Sequence, residues 1–243
     1  MSQTEFHYHS AARTEVGCVR QINEDAVLAL PEAGVWVVAD GMGGHQAGDV
    51  ASTTLIEALR HPGHYDCLSE LTDDVEDRLY AAHARLLARG ARDQATMGST
   101  VAVLLAYRRQ GVCLWAGDSR VYLRREGRFT RVTRDHSEVE ELIARGELAR
   151  EDAEHHPAAN VITQAVGASE DLAIESRFQE LRDGDRFLLC SDGLYKELNE
   201  TEIGRGVAQG NCEAACDGLI QTALARGARD NVTVIVVQFG AAR

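Results

Sequence analysis

The sequence has 243 residues, 44% of them hydrophobic, and a formal net charge of −13 at pH 7. This length and composition suffice for a sizeable core, so we expect one domain over residues 1–243. The acidic charge argues against a nucleic-acid partner, because phosphate backbones are bound by basic surfaces. The apolar runs are too short to span a bilayer and the first residues form no apolar signal segment. We therefore expect a cytoplasmic protein without membrane insertion, and a monomer.

Short apolar runs bounded by turn residues predict β-strands along most of the chain. The runs are Ala26–Leu30, Val35–Ala39, Thr100–Tyr107, Val112–Ala116, Val121–Arg124, Phe129–Val132, Arg186–Cys190 and Val232–Phe239. Apolar residues at helical spacing predict helices over Val50–Leu59, Val75–Leu86 and Cys212–Ala225. Asp73 and Glu76 are predicted to cap the N-terminus of the second helix.

The order of these elements indicates the fold class. Two strands and two helices are followed by a long run of strands, a polar segment, more strands and a late helix. This order differs from the alternation of a parallel βαβ sheet, and it favours an α+β fold in which two antiparallel sheets pack face to face with helices outside. Ser137–Asn160 is charged and only partly periodic, so we interpret residues 137–160 as a surface insertion of short helix and loop.

Aspartates stand where the predicted strands begin or end. Asp25 precedes one strand and Asp40 ends the next, and a short turn joins the two strands. In an antiparallel hairpin the start of one strand lies beside the end of the other, so these two carboxylates should share a sheet edge. Asp118 follows a third strand. Asp192 follows Arg186–Cys190 and Asp230 precedes the last strand, so the same argument applies if those two strands are antiparallel neighbours.

Carboxylates that converge on one edge repel each other, so the site should hold a cation. No run of Lys or Arg lies nearby, and no His or Cys residues accompany the acids in the pattern of a zinc site. A hard divalent ion that prefers oxygen ligands, Mg²⁺ or Mn²⁺, is the expected counter-charge. Aspartate is also a common turn residue, so any one of these acids alone has an ordinary structural explanation.

Six segments together resemble the metal-dependent protein phosphatases, the type 2C serine/threonine phosphatases, in their order and spacing. They are "RQINED" (Arg20–Asp25), "VVADGMGGHQAG" (Val37–Gly48), "GDSR" (Gly117–Arg120), "TRDHS" (Thr133–Ser137), "LLCSDGL" (Leu188–Leu194) and "ARDNVTVIVV" (Ala228–Val237). The resemblance spans nearly the whole chain and is that of a stand-alone bacterial member. It implies a four-layer αββα sandwich with a flap beside the active site, at residues 137–160.

The resemblance also implies which residues bind metal. Asp40 resembles the aspartate that bridges two ions, and the backbone carbonyl of Gly41 resembles a ligand of one of them. Asp192 and Asp230 resemble ligands of the other ion. Asp118 resembles the acid that, with Asp192, holds a third and weaker ion in bacterial relatives.

Three further residues resemble parts of the catalytic machinery. Glu24 and Asp25 resemble residues that position metal-bound waters, and Arg20 resembles the arginine that receives the substrate phosphate. From the residues alone, a surface ion pair with Glu24 or Asp25 is the preferred explanation of Arg20, whereas the motif favours the phosphate-binding role. The implied substrate is a phosphoserine or phosphothreonine protein, and the implied partner is an opposing Hanks-type serine/threonine kinase in a signalling pathway.

Phosphate monoesters hydrolyse very slowly unaided, and two divalent ions can supply both an activated water and neutralisation of the phosphoryl oxygens. The expected reaction is therefore attack of a metal-bridging hydroxide. One departure from the family concerns Met42, which stands where many relatives carry a histidine proposed to protonate the leaving alcohol. A metal-bound water, His45 or another group could supply that proton; His45 is also explained as an ordinary loop residue near a helix start. His155 and His156 are expected in a solvated loop.

Two other functions remain open at this point. A catalytically weak or inactive phosphatase-like binding module would be favoured by loss of Asp40, Asp192 or Asp230, and all three are present. A different two-metal hydrolase, such as a nuclease or a nucleotide phosphatase, is disfavoured for nucleic acid by the absence of a basic channel.

Overall fold

The protein is described by a computed structural model that covers residues 6–43 and 47–241. Its strands form two antiparallel sheets, with the order β1-β11-β10-β7-β8 in one and β2-β3-β5-β6-β9 in the other, where β4 pairs with the end of β3. The strands are β1 (Phe6–Glu15), β2 (Asp25–Leu30), β3 (Val35–Gly43), β4 (Met97–Ser99), β5 (Val101–Tyr107), β6 (Gln110–Ala116), β7 (Arg120–Arg125), β8 (Arg128–Arg131), β9 (Glu175–Glu180), β10 (Arg186–Cys190) and β11 (Val232–Ala241).

Helices cover the outer face of each sheet. They are α1 (Ala47–Leu59), α2 (Leu68–Asp93), α3 (Glu138–Ala144), α4 (Asp192–Tyr195), α5 (Glu200–Val207) and α6 (Cys212–Ala225), with short 3-10 helices at Pro31–Ala33 and Arg150–His155. The helices α1 and α2 lie on the sheet that contains β3, and α5 and α6 lie on the sheet that contains β11. None of the helices among the described residues is long and apolar enough to cross a membrane.

The core consists of three layers, and strand alternation explains them. Along β3, Val35 and Val37 face α1 and α2, whereas Trp36 and Val38 face the other sheet. Both faces of the central strands are therefore covered, which is why their sequences read as continuous apolar runs. The predicted α+β class with a four-layer αββα sandwich is confirmed.

Several elements differ from the sequence-based expectation. The sequence analysis did not predict β1 and β9, which are polar strands at the edges of the two sheets. The predicted cap at Asp73 and Glu76 is wrong, because α2 begins at Leu68. The buried face of Val75 and Leu79 continues toward the N-terminus through Leu71 and Leu68, so the same packing that forms the helix extends it.

The insertion of residues 137–160 contains α3 and the 3-10 helix Arg150–His155. A bridge between Ser137 and Ile162 brings its two ends together. At its base, the buried carboxylate of Glu140 accepts hydrogen bonds from Arg131 at 2.9 Å and from Arg150 at 2.8 Å. Burial opposes ionisation of Glu140, but the combined effect of these hydrogen bonds is larger, and the pKa of Glu140 is lowered to about 2. The ion pair of Glu140 with Arg131 therefore connects the insertion to β8.

Candidate metal centre

The hairpin of β2 and β3 brings the first pair of acids together. Asp25 lies opposite Asp40 in the strand register, as the sequence predicts. Beyond Asp40, β3 continues beside β4, and the amide of Thr100 donates to the Asp40 carbonyl at 2.9 Å. Asp25 lies behind the pocket wall, where the hydroxyl of Ser191 donates to its carboxylate at 2.7 Å. This contact connects the two sheets directly at the acidic edge.

The other acids reach the same place from neighbouring strands. Since β10 and β11 are antiparallel neighbours, Asp192 after β10 and Asp230 before β11 lie at one edge. Asp118 follows β6, and the Tyr195 hydroxyl donates to its carboxylate at 3.0 Å. A pocket of about 460 Å³ lies between these elements. The predicted site residues that line it are Arg20, Glu24, Asp40, Gly41, Asp118, Asp192 and Asp230.

Burial, together with repulsion between neighbouring acids, raises the pKa values of three carboxylates in this cluster. Burial, assisted by Asp192 and Asp230, raises the pKa of Asp25 to about 7. Burial, followed by repulsion from Asp192 and Asp135, raises the pKa of Asp118 to about 7 as well. Desolvation and the charge of Asp25 also raise the pKa of Asp40. A cation bound among these groups would hold them ionised at neutral pH.

Buried carboxylate oxygens without hydrogen-bond partners indicate whether a metal ion fits this site. One carboxylate oxygen of Asp118 and one of Asp192 are buried and accept no hydrogen bond. Leaving such atoms unpaired is costly, and an oxygen-only donor set suits Mg²⁺ or Mn²⁺. The residues therefore fit a hard divalent ion in their donor chemistry, with the carbonyl of Gly41 in the same pocket wall.

The acidic side chains are not, however, arranged as a complete set of ligands around one ion. Within residues 6–43 and 47–241, no three acidic, histidine or cysteine side chains are grouped so as to hold one metal ion. Two of these acids already pair with basic side chains of the protein. Lys196 pairs with Asp192, and Arg20 pairs with Asp230 at 2.8 Å. A metal ion bound by Asp192 and Asp230 would compete with these two basic partners.

Close backbone approaches explain why glycine stands next to two of the acids. A Cβ on Gly41 would lie 2.0 Å from the Gly48 carbonyl oxygen and 2.6 Å from that of Glu24. A Cβ on Gly193 would lie 2.0 Å from the carbonyl oxygen of Asn231. All three distances are too short for a real Cβ, so glycine at these positions lets the acid-bearing segments meet.

The sequence analysis did not identify Lys196 and Asn231, two pocket residues whose side chains contact the other site residues or the loop that carries them. The Asn231 side chain accepts from the Glu24 amide at 2.8 Å and donates to the carbonyls of Val16 at 2.9 Å and Ile22 at 3.0 Å. It therefore fixes the loop that carries Arg20. The available signals were the position of Asn231 directly after Asp230 and that of Lys196 one helical turn after Asp192, although neither position alone indicates a partner.

The methionine and the histidines that the sequence analysis discusses lie in different surroundings. Met42 lines the pocket, where its thioether has no proton to donate. His45 lies outside the described residues. His156 accepts a hydrogen bond from the amide of Ala158 at 3.1 Å, and His155 is exposed. Neither histidine lines the pocket.

The four-layer sandwich, with an acid-lined pocket at one end of its strands, defines the class of the metal-dependent phosphatases. The sequence model described as protein phosphatase 2C matches residues 19–226. The chain belongs to the protein phosphatase 2C family, a family of phosphatase enzymes, as the motifs predict.

Relatives of known name agree with this assignment. The serine/threonine phosphatase stp of Listeria monocytogenes is 32% identical over 240 residues, which cover 95% of each chain. The serine/threonine protein phosphatase PstP of Mycobacterium tuberculosis is 37% identical over 229 residues, 93% of this chain. The matched part is 44% of PstP, so the chain spans less than half of that relative.

Solved structures show the same fold. The structure described as "PppA, a key regulatory component of T6SS in Pseudomonas aeruginosa" is 40% identical, covers 96% of this chain and 98% of its own, and gives a TM-score of 0.90. The catalytic domain of PstP in complex with two manganese ions is 33% identical, covers 97% of this chain and 99% of its own, and gives a TM-score of 0.85. A related chain with this fold therefore binds two manganese ions.

Proposed function

We propose that this chain is a metal-dependent serine/threonine protein phosphatase that hydrolyses phosphoserine and phosphothreonine esters in proteins. The observation that carries the proposal is the acidic edge itself, where Asp118 and Asp192 keep buried carboxylate oxygens without partners. In the relative PstP a pair of manganese ions accompanies this fold. The names of the relatives, serine/threonine phosphatases, supply the substrate class.

In this proposal Asp40, Asp192 and Asp230, with the carbonyl of Gly41, hold two ions, Mn²⁺ or Mg²⁺. A third and weaker ion is assigned to Asp118 with Asp192. When bound, the ions supply an activated water and positive charge for the phosphoryl oxygens. Because the protein carries a net charge of −13, a local positive site is needed before a phosphoprotein can be bound.

The protein's own groups orient the reactants. The Arg20 guanidinium is half exposed and pairs with Asp230, itself a proposed ligand, so it can turn to grip two phosphate oxygens when that carboxylate is engaged. Glu24 and Asp25 are proposed to accept hydrogen bonds from waters of the site. The Asn231 side chain accepts a hydrogen bond from the Glu24 amide, which keeps Glu24 at the pocket wall.

The proposal also includes the domain organisation, oligomeric state, location and role of the chain. We assign the chain to one catalytic domain with a flap at about residues 137–160, acting as a monomer in the cytoplasm. Its role would be signal transduction, in which it opposes a Hanks-type kinase.

The test is phosphate release from a small aryl phosphate and from phosphothreonine and phosphotyrosine peptides, with Mn²⁺ and with chelator. We expect Mn²⁺-dependent release from the aryl phosphate and from phosphothreonine. Asp192→Asn should lower kcat about 100-fold or more, because loss of a group that only supports a metal ligand already costs about 10- to 100-fold. The matched change Asp217→Asn at an exposed ion pair should not lower kcat. Absence of metal-dependent release would overturn the proposal, and release from phosphotyrosine alone would change the substrate class.

A further inference from the structure

Two adjacent residues at the C-terminal end of α4 each hold one acid of the pocket. The Tyr195 hydroxyl donates to one carboxylate oxygen of Asp118 at 3.0 Å, and Lys196 pairs with one carboxylate oxygen of Asp192. The second oxygen of each carboxylate is buried and accepts no hydrogen bond from the residues that the structure describes. Both acids line the pocket, so each has one oxygen held by the protein and one available to a ligand.

The partners of these two acids differ in charge. A lysine ammonium group is positive at neutral pH, whereas a tyrosine hydroxyl is uncharged. A divalent ion beside Asp192 is repelled by Lys196, because the two positive charges lie close together. The hydroxyl on Asp118 does not repel an ion, and it leaves the negative charge of the carboxylate in place. Tyr195 can therefore orient a metal ligand without competing with the metal.

The contacts of Asp118 fix both its side chain and its backbone. The Tyr195 hydroxyl also lies 3.0 Å from the backbone carbonyl oxygen of Asp118, so one hydroxyl spans both parts of the residue. The backbone before Asp118 is held as well, since the Gly117 carbonyl accepts from the His136 amide at 2.9 Å. Asp118 is only 8% exposed, which leaves water little access to replace the hydroxyl.

The ring of Tyr195 is itself held by Arg120. The guanidinium carbon of Arg120 lies over this ring, 3.4 Å from its centroid, in a cation–π contact. The Asp135 carboxylate accepts from Arg120 at 2.7 Å and 3.1 Å, and such paired bonds fix the plane of the guanidinium. Arg120 also donates to the Tyr122 hydroxyl at 3.2 Å. Packing against this fixed plane sets where the Tyr195 hydroxyl meets Asp118.

We propose that Tyr195 is a positioning residue of the metal centre, which orients Asp118 so that one carboxylate oxygen is available to the third and weaker ion. This inference rests on the proposed function, in which Asp118 and Asp192 hold that ion. It adds to the site a residue that lies outside the six sequence motifs. Loss of a group that supports a metal ligand typically lowers metal affinity about 10- to 100-fold.

The experiment is a Mn²⁺ titration of the metal-free protein, in which electron paramagnetic resonance measures the free ion. We expect two tightly bound ions and one weakly bound ion in the parent protein. Asp118→Asn identifies the weak ion, because this change should remove it. Tyr195→Phe should raise the Kd of the weak ion about 10- to 100-fold and leave the two tight ions unchanged.

Tyr122→Phe is the matched control. It removes a buried hydroxyl that bonds Arg120 rather than Asp118, so all three Kd values should stay as in the parent protein. An unchanged weak-ion Kd in Tyr195→Phe would overturn the inference. An equal rise of that Kd in Tyr122→Phe would also overturn it, because the effect would then come from Arg120 or from general stability.

The outcomes separate this inference from the function on which it rests. A parent protein that binds two ions and releases phosphate, but binds no third ion, would overturn the role of Tyr195 and leave the phosphatase standing. Binding of Mn²⁺ without phosphate release from any substrate would overturn the phosphatase and leave the positioning role standing. No binding of Mn²⁺ at all would overturn both.

A second measurement does not depend on the folding of a variant. Unfolding temperatures show whether Tyr195→Phe and Tyr122→Phe are folded, and a crystal structure of the parent protein with saturating Mn²⁺ tests the same geometry directly. We expect the anomalous signal of the third ion beside the Asp118 oxygen that Tyr195 does not bond. An ion on the bonded oxygen, with the hydroxyl displaced, would contradict the positioning role.

Discussion

Among single residues, Lys196 most directly supplies positive charge to the acidic edge. Its ammonium group pairs with Asp192 from the next turn of the chain, and its side chain is 40% exposed. Burial lowers the pKa of Lys196, but the charge of Asp192 outweighs burial, and the net pKa is raised. Lys196 therefore stays charged at neutral pH, which makes it a counter-ion and a poor proton donor for a leaving alcohol.

Replacing Lys196 should reveal this role through stability. We expect Lys196→Met to lower the stability of the metal-free protein by about 1–3 kcal/mol, because the acids lose a neighbouring cation. With saturating Mn²⁺ the loss should shrink, since the ion supplies the missing charge. The measurement is the unfolding temperature with chelator and with Mn²⁺. Arg226→Met, which removes an ion pair with Glu202 outside the pocket, is the control. An equal loss for Lys196→Met in both conditions would contradict the prediction.

At the scale of elements, the loop between β1 and β2 depends on one side chain from the other end of the chain. Asn231 makes three hydrogen bonds to this loop, to Val16, Ile22 and Glu24. Asn231→Ala should release the loop and lower kcat/KM about 10- to 100-fold, as is typical for groups that support catalytic residues. Hydrogen exchange of the Glu24 amide should accelerate in the same variant, which a loss of catalysis alone would not cause.

A matched asparagine separates positioning from general stability. Asn199 caps α5 by accepting from the Glu202 amide at 3.1 Å. Asn199→Ala should cost about 1 kcal/mol of stability and leave kcat/KM unchanged. If Asn231→Ala keeps full activity, or if both variants lose activity in proportion to their stability, the loop does not depend on Asn231 in this way.

The strands and helices differ in how well they could be predicted from the sequence. The central strands were predictable to within a few residues because both faces are buried and the apolar run is continuous. The edge strands β1 and β9 were not, since a half-solvated edge carries polar residues. The helix α5, which begins with the capping box of Asn199 and Glu202, has few apolar residues and was not predicted. Strand ends likewise indicated where the acids meet, whereas the contacts of Asn231 and Tyr195 arise only from tertiary packing.

At the scale of the whole molecule, the acidic edge should make the stability of the metal-free protein depend on pH, and bound metal should remove this dependence. The pKa values of Asp25 and Asp118 are about 7 in the folded protein, against 3.8 for an ordinary aspartate. Between these values the folded chain binds more protons than the unfolded chain, so the free energy of unfolding falls as pH rises. The metal-free protein should therefore be more stable at pH 5.5 than at pH 8, by an amount on the order of a few kcal/mol.

Divalent ions should remove that trend, because they bind the ionised carboxylates and gain affinity as pH rises. The measurement is the free energy of unfolding from urea titrations at pH 5.5 and pH 8, with chelator and with excess Mn²⁺. General repulsion in an acidic protein acts in the same direction, so a matched control is needed. Asp118→Asn should flatten the metal-free trend, whereas Glu32→Gln, which removes the same charge from an exposed side chain, should change it little. Equal effects of the two variants would assign the trend to net charge and contradict a specific role for the buried acids.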